Sequence, residues 1–289
     1  MNYVDVFYQS DDGLRLYARD YPGPGDDAPV IICLPGLTRN SKDFVALAET
    51  LQHGYRVICP DQRGRGRSQR DADASHYRPD RYVQDMCALQ ETLHISKWTI
   101  IGTSLGGLMA MLMIARNGQR IAGVVLNDIG PVVDPLGLAR IASYVGKSAP
   151  VRNWDEASEQ AAVTNGLAFP DYDRKAWQAM ARELYIQEGS TPVLDYDPAI
   201  AVGVVADTAA LSLWPLLEAM PALPVLAIRG ETSDILSAEI LNEMTQRLPH
   251  LTAVTVPHRG HAPTLGEPAA RAAIMKFLIN INQMPPAKH

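Results

Sequence analysis

The 289-residue chain has little of what builds metal and redox centres. Its three cysteines, Cys33, Cys59 and Cys87, are an odd number with no C-x-x-C pair, and its seven histidines include no H-x-x-x-H pair. Those gaps exclude the familiar zinc spacings, so no metal site is expected. Cys33 and Cys59 fall inside apolar runs and read as buried free thiols rather than nucleophiles. No apolar run approaches the ~20 residues of a membrane span. Positive charge is also short: the net charge is −6, which offers nothing to nucleic acid or to an anionic membrane. The first residues, Met1-Asn-Tyr-Val-Asp-Val, carry no basic cluster ahead of an apolar stretch, so a cytoplasmic protein is expected. The glycines from Gly102 to Gly107 lack both the lysine of a P-loop and the G-x-G-x-x-G order, and no cofactor is implied. Repeats and low-complexity segments are absent as well.

What is present is a large apolar fraction, 47% of residues, arranged in alternating patterns. Val4 to Gln9 and Leu14 to Arg19 flank Asp11-Asp12-Gly13 as a hairpin would. Val30–Leu34 is a continuous apolar run, the mark of a strand covered on both faces; Tyr55–Cys59 and Ile121–Asn127 read as further buried strands, and Trp98–Ile101, Leu223–Arg229 and Leu251–Val256 as strands. Helical patterns separate them: one through Leu47 and Leu51, Pro79 to about Leu93, Leu105 to Arg116, Ala238 to Leu248, and Ala269 to about Ile279. The alternation predicts an α/β fold, a mostly parallel, doubly wound sheet of about eight strands. It stops after the sixth strand. From 132 to 220 the patterns are helical, with candidates at Leu138–Val145, Trp154–Leu167, Arg174–Ile186 and Ala209–Leu217. Three of the four tryptophans, Trp154, Trp177 and Trp214, fall in this stretch. The expectation is a core domain of residues 1–131 and 221–289 and a helical cap of residues 132–220. Most of the cap's aromatics would form its own core, and some would line a pocket.

The chemistry gathers around Ile100-Ile101-Gly102-Thr103-Ser104-Leu105-Gly106-Gly107. An apolar strand runs into Gly102-x-Ser104-x-Gly106 and directly on into a helix with Leu108, Met109, Leu112 and Met113 on one face. A strand that turns at once into a helix leaves no space for side chains beside the central residue, and glycine meets that constraint. The turn lifts the Ser104 hydroxyl at the strand end, beside the positive end of the helix.

With these residues the chain resembles the α/β-hydrolases, in their serine-nucleophile branch. Val30–Leu34 running into Pro35-Gly36-Leu37 is similar to the family's oxyanion loop. Asp61-Gln-Arg-Gly64-Arg-Gly66-Arg-Ser68 is similar to its D-x-R-G-x-G-x-S loop, Arg229-Gly230-Glu-Thr-Ser-Asp234 to its acid loop, and Arg259-Gly260-His261-Ala-Pro263 to its histidine loop. The resemblance implies Ser104 as nucleophile, His261 as base, and Asp234 as the acid that orients the imidazole. Asp128, at the end of the strand after the elbow helix, is the rival acid; Glu231 sits too early and His258 lacks the glycine before it. The backbone N–H groups of Leu37 and Leu105 would form the oxyanion hole, with Pro35-Gly36 standing where many relatives have His-Gly. The arginines at 63, 65, 67 and 70 read as a solvated or salt-bridged loop, with Asp61 and Arg63 as anchors.

The activity these residues imply is hydrolysis of a small carboxylic ester or lactone through an acyl-enzyme. Two other classes share the framework: a triad enzyme that cleaves a carbon–carbon bond of a β-diketone-like acid or transfers its acyl group, and a non-catalytic receptor for a small molecule. Serine at the elbow argues against dehalogenase and epoxide hydrolase chemistry.

Overall fold

Val30–Leu34 (β3) is apolar at every position because both faces of it are covered. Ile32 and Leu34 pack into one hydrophobic layer, while Ile31 and Cys33 pack into the layer on the other side of the sheet. The computed structural model describes residues 2–204, 212–220 and 222–283. Its main sheet has eight strands, in the spatial order Val4–Gln9, Arg15–Tyr21, Arg56–Asp61, Val30–Leu34, Trp98–Thr103, Ile121–Asn127, Val225–Gly230 and Leu251–Val256. Val4–Gln9 (β1) and Arg15–Tyr21 (β2) form the expected hairpin and pair antiparallel, as do β2 and Arg56–Asp61 (β4). The remaining pairings, through Trp98–Thr103 (β5), Ile121–Asn127 (β6), Val225–Gly230 (β9) and Leu251–Val256 (β10), are parallel. The α/β doubly wound expectation therefore holds.

Helices cover both faces. Pro79–Thr92 (α2) and Leu105–Asn117 (α3) bury Met86, Leu89, Met109 and Met113 in one layer; Val45–Leu51 (α1) and Pro268–Gln283 (α9) bury Leu47, Ile274 and Phe277 in the other. Ala238–Arg247 (α8) starts at Ser237, whose hydroxyl caps it by accepting from Ile240 N–H at 3.2 Å.

Between β6 and β9 lie Pro135–Tyr144 (α4), Trp154–Asn165 (α5), Arg174–Leu184 (α6) and Trp214–Glu218 (α7). The stretch is not wholly helical as expected. Tyr185–Glu188 (β7) and Thr191–Leu194 (β8) form an antiparallel hairpin where the helix was expected to run on to Ile186. The turn is Gly189-Ser190, with Gly189 at φ +55°, which favours a glycine there. The helix expected over 209–217 starts only at Trp214; residues 209–211 lie outside the described residues, as does the 284–289 tail. Trp154 and Trp177 pack with Phe169, Met180 and Tyr185 in a small core of this excursion, while Trp214 packs on the main core. Among the described residues no helix is long and apolar enough to cross a membrane.

In the arginine loop after β4 the salt-bridged half of the expectation holds: Arg63 and Arg67 are ion-paired, Arg67 and Arg70 are exposed, and only the first two arginines are buried. Arg63 and Arg65 are both 0% exposed. Arg63 forks onto Asp85 of α2 at 2.8 and 2.6 Å and reaches Asp12 at 2.9 Å and Asp71 at 2.6 Å. A buried arginine needs such partners, and these three carboxylates tie the β1–β2 turn, the loop and α2 together.

Candidate active site

Ser104 sits at the strand-to-helix corner with φ +52° and ψ −114°, an uncommon conformation for a non-glycine residue. The surroundings impose it. A Cβ on Gly106 would lie 2.1 Å from Leu34 O, and one on Gly102 2.4 Å from Gly106 O, so strands β3 and β5 and helix α3 meet with no space for a methyl group. Ser104 N–H donates to Asn127 O on β6 at 2.9 Å, which locks the corner to its neighbouring strand.

His261 comes from the loop after β10. Its Nε2 lies 2.9 Å from Ser104 Oγ and its Nδ1 lies 2.8 Å from Asp128 Oδ2. Asp128 is 0% exposed and follows β6 directly. Its Oδ1 accepts from Gly230 N–H at 2.7 Å, and its Oδ2 also accepts from Ser233 Oγ at 2.6 Å. An acceptor that already takes two donors requires a proton on His261 Nδ1, leaving Nε2 as the acceptor for the Ser104 hydroxyl.

Asp234 does not reach His261. It meets Arg140 of α4 in a fork, Nε to Oδ2 at 2.5 Å and Nη2 to Oδ1 at 2.9 Å. Burial works to raise its carboxyl, and Arg140 outweighs that and holds it below the ordinary carboxylate range. The expectation that Asp234 orients the histidine is corrected to Asp128 for a topological reason. β6 is bonded directly to β5, which carries the serine, whereas β9 lies one strand further away. Asp128 stands at its strand end, while Asp234 is four residues past the end of β9, far enough for the loop to turn toward α4. That loop still serves the histidine indirectly, through Gly230 and Ser233. His258, the rival base, lies on the surface, and Glu231 accepts from its N–H at 2.8 Å.

The N–H groups of Leu37 and Leu105 make no hydrogen bond among the described residues. Leu37 is held by Arg65, whose Nε donates to Leu37 O at 2.9 Å. Arg65 is thus a contributor that sequence reasoning missed; its place four residues after β4, inside the arginine run, was the only signal. Asn127 was also missed. Its amide donates to Thr103 Oγ1 at 3.0 Å and to Pro263 O at 2.8 Å, tying elbow and histidine loop together.

A cavity of about 470 Å³ opens above Ser104 and His261. The core supplies Leu37 and Arg39 to its wall, and the excursion supplies Ile141, Tyr144, Phe169 and Met180. The excursion is bonded to the loop that carries His261 as well: Gly260 N–H donates to Ala168 O at 2.9 Å and Arg259 pairs with Asp171 at 2.7 Å.

Residues 29–268 match the family model of the alpha/beta hydrolase fold, and the chain belongs to that family. It is 35% identical over 276 residues to a 3-hydroxybutyrate-oligomer hydrolase of Cupriavidus necator, covering 92% of this chain and 93% of that relative. It is 26% identical over 235 residues to a 2-(acetamidomethylene)succinate hydrolase of Mesorhizobium japonicum, covering 81% of each. The crystal structure of an alpha/beta hydrolase from Novosphingobium aromaticivorans superimposes with a TM-score of 0.91 at 44% identity, covering 96% of this chain and 98% of that one. Fold, family and hydrolase-named relatives together make the chain an enzyme.

Proposed function

We propose that the protein is a serine hydrolase that cleaves a short carboxylic ester through an acyl-enzyme. The observation that carries this reading is the unbroken hydrogen-bonded chain from Ser104 Oγ through His261 to Asp128. A serine hydroxyl needs an adjacent base to attack a carbonyl, and His261 Nε2 is within reach of its proton. As Oγ bonds to the carbonyl carbon, His261 takes that proton and the carbonyl oxygen becomes an oxyanion. The free N–H groups of Leu37 and Leu105 are the donors suited to it. The imidazolium is stabilised by Asp128 and returns the proton to the departing alcohol oxygen. Water then repeats the sequence on the acyl-enzyme, and the acid leaves. The 35% identity with a 3-hydroxybutyrate-oligomer hydrolase, across nearly the whole chain, supports short linear oligoesters of a hydroxy acid as the substrate. Such a molecule carries a free carboxylate at one end.

A fluorophosphonate probe tests the reading. It should label Ser104 alone. Ser104→Ala should stay folded, take no label and lose on the order of 10³-fold or more in ester turnover. Labelling of a different serine, or an active Ser104→Ala enzyme, would overturn it; a labelled protein that turns over no ester would favour the receptor reading.

A further inference from the structure

Arg39 stands beside the nucleophile, and the reaction chain does not use it. A Cβ on Gly36 would lie 3.6 Å from Arg39 Cγ and 3.9 Å from Ser104 Cβ, so the arginine stem and the serine flank the same glycine. Two carboxylates fix the guanidinium. Asp43, four residues on, takes Nε at 2.9 and 2.8 Å and Nη2 at 2.7 Å. Glu183 of α6 takes Nη2 at 3.2 Å. Arg39, Asp43 and Glu183 all line the cavity over Ser104. Arg39 Nη1 donates to no protein atom among the described residues. Arg271 of α9 lines the same cavity, and its one side-chain partner among the described residues is the Thr50 hydroxyl at 3.3 Å.

The two anchors differ in kind. The Asp43 contact is local and bidentate, which makes it part of the arginine's mounting. The Glu183 contact is longer, crosses from the core to the excursion, and leaves that side chain 44% exposed. Burial raises the Glu183 carboxyl above its ordinary range, and the negative charge of Asp43 adds to the effect. Glu183 is therefore the anchor most easily given up, and its position shows that a carboxylate fits against Nη2 from the cavity side.

We propose that Arg39 is the specificity-determining residue that seats a carboxylate of the substrate, and that Glu183 holds its place in the free enzyme. The proposal rests on the serine-hydrolase reading and narrows it to esters that carry a free carboxylate near the scissile bond. The guanidinium fork matches a carboxylate's two oxygens, and Nη1 and Nη2 offer that fork once Glu183 turns to solvent. The seat positions the ester over Ser104 and takes no proton.

The test uses the linear dimer of 3-hydroxybutyrate as the free acid, the methyl ester of the same dimer, and p-nitrophenyl acetate as a neutral reporter of the serine chemistry. The wild type should favour the free acid over the methyl ester by on the order of tenfold or more in kcat/KM. Arg39→Gln should bring that ratio close to one, mainly through KM for the acid, while Glu183→Gln should lower KM for the acid. Free 3-hydroxybutyrate should inhibit the wild type better than methyl 3-hydroxybutyrate does, and this arm decides if Arg39→Gln fails to fold. Equal use of acid and methyl ester, equal inhibition by the two small ligands, or a ratio unchanged in folded Arg39→Gln would overturn the carboxylate seat and leave the serine reading standing. If the wild type turns over none of the three esters, the serine reading itself fails and the seat with it.

Discussion

At the scale of single residues, the arrangement around His261 makes unequal demands on two aspartates. Asp128 accepts the Nδ1 proton and is held by Gly230 and Ser233. Asp234 answers to Arg140. Asparagine at 128 keeps the size but offers an N–H where an acceptor is needed, so the histidine settles in the wrong tautomer. In a serine protease that change costs about 10⁴-fold in turnover. Asp128→Asn should therefore slow acylation by a factor of that order, while Asp234→Asn should leave it within a few-fold. Stopped-flow acylation by a chromogenic ester, on variants shown to melt cooperatively, measures both. The sequence showed Ser104 and His261 plainly, since each sits in a glycine-marked turn at a strand end. It pointed to Asp234 with Asp128 as the rival, because both aspartates follow an apolar strand run, and the geometry reverses that order. Only the order of strands across the sheet separates them, and strand order is a tertiary fact.

At the scale of elements, the loop after β4 carries stability that its sequence disguises. Four arginines in eight residues read as a solvated or salt-bridged run, and the sequence did not show that Arg63 and Arg65 are fully enclosed. Charge patterning alone cannot show this, because the partners Asp12, Asp71 and Asp85 come from the β1–β2 turn, the loop and α2. Removing one charge of the fully buried Arg63–Asp85 pair should cost roughly 3 kcal/mol. Urea unfolding of Asp85→Asn at neutral pH measures it. The same network sets an acid limit. Hydrogen bonding from Arg63 holds the Asp12 carboxyl well below the usual carboxylate range. A carboxyl depressed in the folded state stabilises the protein above the unfolded value of about 3.9, and that contribution fades as pH falls below it. Stability should thus drop below about pH 4, and Asp12→Asn should make that slope shallower in acid titrations followed by circular dichroism. The hairpin β7–β8 is the other element the sequence hid. The helical pattern of 174–184 runs smoothly into Tyr185-Ile186, and the Gly189-Ser190 turn that reverses the chain lies beyond it.

At the scale of the whole molecule, the excursion between β6 and β9 is fastened to the core at separated points. Arg140 grips Asp234, Lys42 and Asn40 grip Asp195 at 2.8 and 3.0 Å, and Arg259 grips Asp171. The Arg140–Asp234 fork is partly exposed, so its loss should shift global stability by about 1 kcal/mol or less. It should loosen the excursion locally instead. Limited proteolysis of Asp234→Asn should cut within 132–220 faster than in the wild type, with nearly the same melting midpoint; an unchanged digestion rate would show that the fork fastens nothing. Much of the architecture was legible in advance, because β3, β6 and β10 are apolar at nearly every inward position and their limits fall where the apolar runs end. Which parts of the excursion touch the core was not, since those contacts join residues far apart in the chain. The placement of Asp128 has one consequence for how such an enzyme can diversify. In the proposed mechanism the nucleophile Ser104 and the acid Asp128 both precede residue 132, and the β9 loop that grips α4 contributes no group that reacts. Inheritance can therefore exchange the excursion, or retune its grip at Asp234, and so drift among substrates while the reacting trio passes down unaltered.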